Sequence, residues 1–132
     1  MKKIGYVLLG IVLVVVLGRT QEQKAPNSVP AYSFAQEHTV SGIIQEIKNY
    51  QCPVSGTIGS HISIKDGSEI IEVHLAPAKF VKDYDIVFKP GDKVQVTGVK
   101  FVFDGKPAML ARLVVDGQST FAFRNDKGQP QW

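Results

Sequence analysis

The chain has very little cysteine, and the single thiol excludes several classes of protein. Cys52 is the only cysteine among 132 residues. A disulfide within the chain, a Cys-x-x-Cys redox pair and a c-type haem attachment motif each require at least two cysteines. Residues 37–132 nevertheless supply enough chain for one hydrophobic core, so the sequence predicts a single small domain that folds unaided.

The predicted domain also lacks net charge. The excess positive charge of the chain, +3 in all, lies within residues 1–36, whereas residues 37–132 contain eleven basic and eleven acidic residues. A nucleic-acid-binding domain normally carries a basic surface, because neutralisation of phosphates supplies most of its non-specific affinity. Nucleic acid is therefore not expected as a partner.

No catalytic constellation is present. The three histidines and the serines have no spacing typical of a nucleophile and its base, and there is no glycine-rich phosphate loop. Four aspartates, Asp66, Asp92, Asp104 and Asp116, stand in turn-like sequences, where aspartate is a common turn former. We expect a protein that is not an enzyme and that needs no cofactor.

The longest apolar run is shorter than a helix that spans the hydrocarbon core of a membrane. It covers residues 4–17 and follows Lys2 and Lys3; as a helix it would span about 21 Å, less than the roughly 30 Å of a hydrocarbon core. This pattern is typical of a signal peptide, and the alternative is a short N-terminal anchor. Residues 1–18 are predicted to have one of these roles, and residues 19–36 to form a polar linker.

Both alternatives place the domain outside the cytoplasm. The two lysines should remain on the cytoplasmic side while the following residues are exported. The predicted location is the periplasm or the extracytoplasmic face of the membrane. Residues 1–18 would contact the membrane if they are not cleaved.

The order of elements in residues 37–132 predicts an all-β, OB-like barrel with five to six strands and one short helix. A first strand interrupted by Gly42 precedes a hairpin, a short helix and two further long strands. A short last strand follows them. The predicted strands cover residues 39–48, 61–65, 71–75, 93–103, 109–115 and 121–123, and the helix covers residues 76–81.

The apolar alternation of the hairpin favours one register. Pairing Ile64 with Ile71 places Ile62, Ile64, Ile71 and Val73 on one face and the polar residues on the other, and a slip of one residue would mix the faces. In this register His61 lies opposite His74.

Several segments of residues 38–132 resemble a group of small exported bacterial proteins that have a single OB-type domain. The resemblance supports the fold and the export of the chain, and it implies no activity. The segments are residues 40–44 (VSGII), 72–77 (EVHLAP), 90–98 (PGDKVQVTG) and 124–132 (RNDKGQPQW).

In OB folds the outer face of the second and third strands is the usual binding surface. The sequence therefore predicts a binding module for a protein or a small ligand, with a protein partner at the membrane or in the periplasm. The alternatives are an accessory subunit of a membrane complex, a single-stranded nucleic-acid-binding protein, and a copper- or zinc-binding protein. The candidate binding residues are Tyr50, Cys52, His61, Ser63, Glu72, His74 and Lys106.

Two hypotheses describe the role of His61 and His74. Cys52, His61 and His74, with Met109 as a soft fourth ligand, have donor types suited to copper or zinc. In the other hypothesis the histidines are hydrogen-bonding residues of a polar sheet face and Cys52 is a small buried apolar residue. The wide spacing of these residues favours the second hypothesis, so the sequence alone assigns no metal site.

Two aromatic pairs and the last residue complete the candidates. Phe101 with Phe103, and Phe121 with Phe123, each lie on one face of a strand and are predicted to be core residues; the alternative is an exposed strip that docks a partner. Gly128 and Pro130 indicate a fixed turn that positions Trp132.

Overall fold

The structure, a computed structural model, describes residues 29–52 and 56–132. The predicted signal or anchor and most of the predicted linker lie outside these residues. Within the described ranges, no helix has the length and apolar character needed to cross a membrane. The elements are β1 (Glu37–Gln51), β2 (Ile58–Asp66), β3 (Glu69–Pro77), α1 (Ala78–Asp83), β4 (Lys93–Phe103), β5 (Lys106–Asp116) and β6 (Ser119–Ala122).

The strands form a closed ring. Their order is β3-β2-β1-β4-β5-β6, and an additional parallel pairing of β3 with β5 closes the barrel. All other pairings are antiparallel. Closure leaves the five principal strands without a free edge, which removes the usual risk of edge-to-edge association. The predicted OB-like barrel with one short helix is confirmed.

β1 is long because it serves two partners. Residues 37–43 pair with β4, and residues 43–51 pair with β2. Gly42 lies at this changeover, where a Cβ atom would be 2.9 Å from the carbonyl oxygen of Lys65. A side chain at this position would therefore push β2 away from β1.

Gly98 has a comparable role between β4 and β5. The pairing of these strands shifts register between Thr97 and Gly98, and a Cβ atom on Gly98 would be 2.2 Å from the carbonyl oxygen of Leu110. Because backbone atoms form this contact, only glycine allows the two strands to approach so closely.

The hairpin of β2 and β3 has the predicted register. Ile64 pairs with Ile71, Ile62 with Val73, and His61 with His74. The apolar face of the hairpin enters the barrel core, with all four of its predicted residues at most 1% exposed. The opposite face is also covered: Ser60, His61, Ser63 and His74 are buried polar residues. Both faces of this hairpin are therefore shielded from water.

The barrel interior is filled by aliphatic side chains together with Phe88 and Phe123, and Phe121 packs against this cluster. Phe121 and Phe123 thus have the predicted core positions. Phe103 is buried and Phe101 is half-buried, but their rings contact His74 on the outer face of β3, at 5.1 and 5.3 Å between ring centroids. Phe103 is thus buried as predicted and Phe101 is buried only in part, and neither belongs to the cluster in the barrel interior.

Some predicted boundaries differ from the structure. The helix begins at Ala78 and not at Ala76, because Ala76 and Pro77 still pair with β2. Strand β5 begins at Lys106, since Asp104 and Gly105, both with positive φ, complete the turn by themselves.

A polar cluster, here called the Arg112 clamp, joins the segment before β1 to β5. Arg112 donates two hydrogen bonds to the carboxylate of Glu37, at 2.8 and 2.7 Å, and the Tyr32 hydroxyl donates a third. Hydrogen bonding from Arg112 lowers the pKa of Glu37. Burial and the Glu37 carboxylate raise the pKa of Tyr32 to about 12. Every charged group of the clamp is thus matched by an opposite charge or a donor.

The last residues form the predicted fixed turn. The Asn125 side-chain oxygen accepts hydrogen bonds from the backbone N–H groups of Lys127 and Gln129, and Arg124 donates to the carbonyl oxygen of Gly128. This turn brings the Trp132 ring to 5.7 Å from the Phe80 ring and 5.6 Å from the Arg124 guanidinium.

Candidate functional site

His61 and His74 are neighbours on the outer face of the β2–β3 hairpin. Nε2 of His61 lies 3.1 Å from Nδ1 of His74, and the two rings are nearly perpendicular. Both side chains are almost completely buried, at 2% and 6% exposure. The antiparallel pairing places directly opposite residues close together, so the register that the isoleucines favour is what joins the two imidazoles.

Cys52 completes a three-residue cluster. It follows the last residue of β1, and hydrogen bonds from the Cys52 N–H to the Thr57 carbonyl and from the Gly56 N–H to the Cys52 carbonyl fix its backbone. The thiol is buried. The ligand atoms of Cys52, His61 and His74 all lie within 4.8 Å of one another, which is close enough for one ion.

Gly59 provides the space between these side chains. A Cβ atom at this position would be 2.9 Å from Cε1 and 3.4 Å from Nε2 of His61, and 3.6 Å from Cβ of Cys52. Any larger residue would therefore displace the His61 ring or separate it from Cys52.

Tyr50 and Glu72 hold the His61 ring from the other side. The Tyr50 ring stacks on His61 with 4.1 Å between centroids and 10° between planes, and the Tyr50 hydroxyl donates a 2.9 Å hydrogen bond to Glu72. Burial, together with the Glu72 carboxylate, raises the pKa of Tyr50. The hydroxyl therefore stays protonated and keeps donating, which orients the aromatic face against His61.

Burial makes both histidines weak bases. It lowers the pKa of His74 to about 4, with a smaller contribution from His61, and it lowers the pKa of His61 although the Glu72 carboxylate acts in the opposite direction. Both imidazoles are therefore neutral at pH 7, and each retains one nitrogen lone pair.

Two imidazole nitrogens in this cluster have no hydrogen-bond partner among the described residues. They are Nδ1 of His61 and Nε2 of His74. Burial lowers the pKa of His61 and the backbone at Gly59 and Lys48 opposes this shift, but that backbone forms no hydrogen bond of normal geometry with Nδ1. Because one hydrogen bond joins two neutral rings, one of the remaining nitrogens is a buried acceptor and the other is a buried N–H donor. Such a group typically costs about 1–3 kcal/mol, so the arrangement is not optimised for stability alone.

The cluster forms one wall of a pocket with a volume of about 330 Å³. Leu110 of β5, which pairs with His74 in the parallel β3–β5 ladder, also lines the pocket, and the C-terminal segment contributes Arg124 and Trp132. Burial lowers the pKa of Arg124. Among the described residues no carboxylate forms an ion pair with this guanidinium, and its Nε atom has no hydrogen-bond partner.

The structure brings together five of the seven predicted binding residues: Tyr50, Cys52, His61, Glu72 and His74. Ser63 is buried on the same face, paired with Glu72. Lys106 is exposed at the start of β5, four positions before the pocket residue Leu110, and has no place in the cluster. The proposed soft ligand Met109 points into the barrel core, because neighbouring residues of a strand face opposite sides.

Sequence reasoning missed the part of the pocket that lies far away along the chain. Leu110, Arg124 and Trp132 carry no local signal that connects them to the hairpin. Arg124 and Trp132 belong to the C-terminal segment that the resemblance includes, and the turn at Gly128 and Pro130 indicated a fixed position for Trp132, but neither signal connected these residues to the hairpin.

The comparisons with known proteins give one family. The model of the MamS/MamX magnetosome protein family matches residues 36–121. No curated protein matches the chain. The matched range contains β1 to β5 and therefore the three residues Cys52, His61 and His74.

Proposed function

The chain belongs to the MamS/MamX magnetosome protein family, and from this we propose that it is a non-catalytic binding module of the magnetosome that takes up a small anionic ligand. The observation that carries the proposal is the pocket on the outer face of β2 and β3. A barrel with this strand order usually binds ligands on that face, and a pocket of about 330 Å³ has the size of a small-molecule site.

The charge of the ligand is inferred from Arg124. This guanidinium lines the pocket and forms no ion pair with the described residues. A partly buried cation without a counter-ion is destabilising, whereas a bound carboxylate or phosphate group would form charge-assisted hydrogen bonds with it. An anionic group would also satisfy the free Nε atom.

The location is part of the proposal. Lys2, Lys3 and the apolar run of residues 4–17 favour export, so the barrel would act in the periplasm or at the extracytoplasmic face of a membrane. The mass of the mature protein from its source bacterium distinguishes the two cases. A chain that keeps residues 1–18 is anchored, and a chain that lacks them is a cleaved, exported protein.

Native mass spectrometry of the full chain, isolated from its source bacterium, tests the ligand. We expect one small ligand per chain in the unaltered protein. The Leu110→Phe variant should lose most of this ligand, because the larger side chain narrows the pocket beside His74. The matched control is Val87→Phe, which adds the same ring at a residue that is 67% exposed. A folded, unaltered chain without any bound small molecule would contradict the proposal, and substrate turnover would contradict its non-catalytic part.

A protein partner is the second candidate, and one observation favours it. At the end of the barrel the Phe80 ring contacts both the Tyr84 ring and the Trp132 ring. Tyr84 is 68% exposed. Aromatic residues of this kind are enriched in protein interfaces. A photo-crosslinker placed at Tyr84 should capture one defined partner at the membrane, and a crosslinker at Val102 should not. Equal labelling from both positions would contradict a specific interface.

A further inference from the structure

We propose that Cys52, His61 and His74 bind one thiophilic first-row metal ion, zinc or cuprous copper, with the remaining coordination position open to the pocket. The proposal extends the proposed binding function by assigning a second component to the same pocket. It depends on the positions of three buried ligand atoms and on the space that Gly59 leaves beside them.

The spacing of the donors fits a single ion. Two nitrogen ligands at 2.0–2.1 Å from a tetrahedral ion are about 3.3 Å apart, and the His61 Nε2 to His74 Nδ1 distance is 3.1 Å. The thiol lies within 4.8 Å of the imidazole ligand atoms, so it must approach by about 1 Å. A rotation of the Cys52 side chain between staggered rotamers moves the sulfur atom by at least that distance.

The surroundings of the cluster also fit an ion. The three side chains are buried, so no water shell competes with them as ligands. A metal bound by Nε2 of His61 and Nδ1 of His74 would replace the hydrogen bond between these two atoms, and the other nitrogen of each ring would carry the proton. Tyr50 fixes the orientation of the His61 ring through stacking, and Gly59 leaves the space between the ring and Cys52 open.

The donor set selects the class of metal. A thiolate with two imidazoles suits zinc and cuprous copper, whereas calcium and magnesium prefer oxygen ligands. On coordination the Cys52 thiol transfers its proton to solvent, so the thiolate and a monovalent or divalent ion form the complex. Met109 belongs to the barrel core, so a fourth ligand must come from the pocket, either as water or as the small anionic ligand.

Metal titration of the reduced, metal-free full chain tests this inference. One series uses Zn²⁺ alone and the other uses Cu⁺ alone without oxygen, each against a chromophoric competitor. We expect about one ion per chain in at least one series, and the series with the tighter binding identifies the metal. Fewer than about 0.1 ions per chain in both series would overturn the proposal.

Variants test which residues bind the ion. Cys52→Ser and the double variant His61→Ala, His74→Ala should each weaken binding by about 100-fold or more. His38→Ala is the matched control, because His38 is the remaining histidine and is exposed on β1; it should bind as the unaltered chain does. An equal loss in the control would overturn the assignment.

A measurement on the unaltered chain tests the site without requiring that the variants fold. Cys52 is the only thiol, so Co²⁺ bound at this site must show a thiolate-to-cobalt charge-transfer band, and the bound ion must slow alkylation of the thiol. A bound ion without either effect would place it elsewhere. Leu110→Phe keeps all three ligands and should keep the metal while losing most of the small ligand. Failure of the metal site and failure of the pocket function are thereby distinguished.

Discussion

The Arg112 clamp and the Cys52–His61–His74 cluster are two polar groups on one small barrel, and they differ in how completely they are paired. In the clamp, Glu37 receives two hydrogen bonds from Arg112 and one from Tyr32. In the cluster, two imidazole nitrogens have no partner among the described residues. A fully paired buried group stabilises a fold, whereas an incompletely paired one costs free energy and points to a role other than stability.

The largest effect is expected from breaking the clamp. Glu37→Ala should lower the free energy of unfolding by about 2–3 kcal/mol, because it leaves the guanidinium of Arg112 largely buried and without a counter-ion. Both side chains of this pair are only 17% exposed. Urea denaturation measures the change. The control is Asp83→Ala, which breaks the exposed pair with Lys79 and should cost no more than about 0.5 kcal/mol. Equal losses would show that the clamp is an ordinary surface ion pair.

Acid should destabilise the metal-free cluster more than the clamp. The pKa of His74 is about 4 in the folded chain, where burial is the main cause, and about 6.5 in the unfolded chain. The unfolded state therefore binds more protons in this interval, and stability decreases as the pH falls from 6.5 to 4, by on the order of 2 kcal/mol. His61 and Glu72 also act on this pKa, and the rings of Phe101 and Phe103 cover His74.

Denaturation curves at several pH values measure this loss. The double variant His61→Leu, His74→Leu should show a much flatter dependence between pH 6.5 and 4. An unchanged slope in the variant would show that other groups cause the loss.

A smaller effect is expected from the hydroxyl in the clamp. Tyr32→Phe should cost about 1 kcal/mol, the usual contribution of one hydrogen bond. The folded state holds this proton more tightly, since the pKa of Tyr32 is raised to about 12. Stability should therefore fall between pH 10 and 12 in the unaltered chain, and the Phe variant should lack this part of the decrease. Identical alkaline profiles of the two proteins would disprove the role of the hydroxyl.

The smallest change, and the sharpest contrast with the clamp, is expected when the histidines are replaced by leucine. At pH 7 the metal-free His61→Leu, His74→Leu variant should unfold within about 1 kcal/mol of the unaltered chain. Removal of the unpaired nitrogens is favourable and offsets the lost stacking on Tyr50. Calorimetry or urea titration decides the point. A loss of several kcal/mol would show that the histidine pair stabilises the fold.

The register of the β2–β3 hairpin shows how much of the candidate site the sequence predicts. The alternation around Ile62, Ile64, Ile71 and Val73 allows one pairing that keeps the apolar face intact, and that pairing joins His61 to His74. Cys52 was predicted to lie in the loop before β2, whereas β1 extends to Gln51 and fixes Cys52 directly at its end. Most of the candidate site thus follows from local periodicity, because both strands and their turn are adjacent in the chain.

The sequence did not show that other residues cover the polar outer face of this hairpin. Phe101 and Phe103 of β4 contact His74 of β3. They reach it because β5 pairs with both strands, and the residues that pair between β3 and β5 are more than 30 positions apart in the sequence. Alternation cannot distinguish a ring that faces the barrel interior from one that covers the outer face of a neighbouring strand. Met109 was placed among the metal donors for the same reason, although it fills the core.

The sequence by itself determined the order of strands, the hairpin register, the charge balance of the barrel and the identity of the three donor residues. These properties depend on residues that are neighbours in the chain or on composition. The tertiary structure decided that the donors are buried together and that Arg124 and Trp132 complete a pocket beside them. Closure of the barrel brings distant segments together, and burial then changes the chemistry of polar groups that would be ordinary in water.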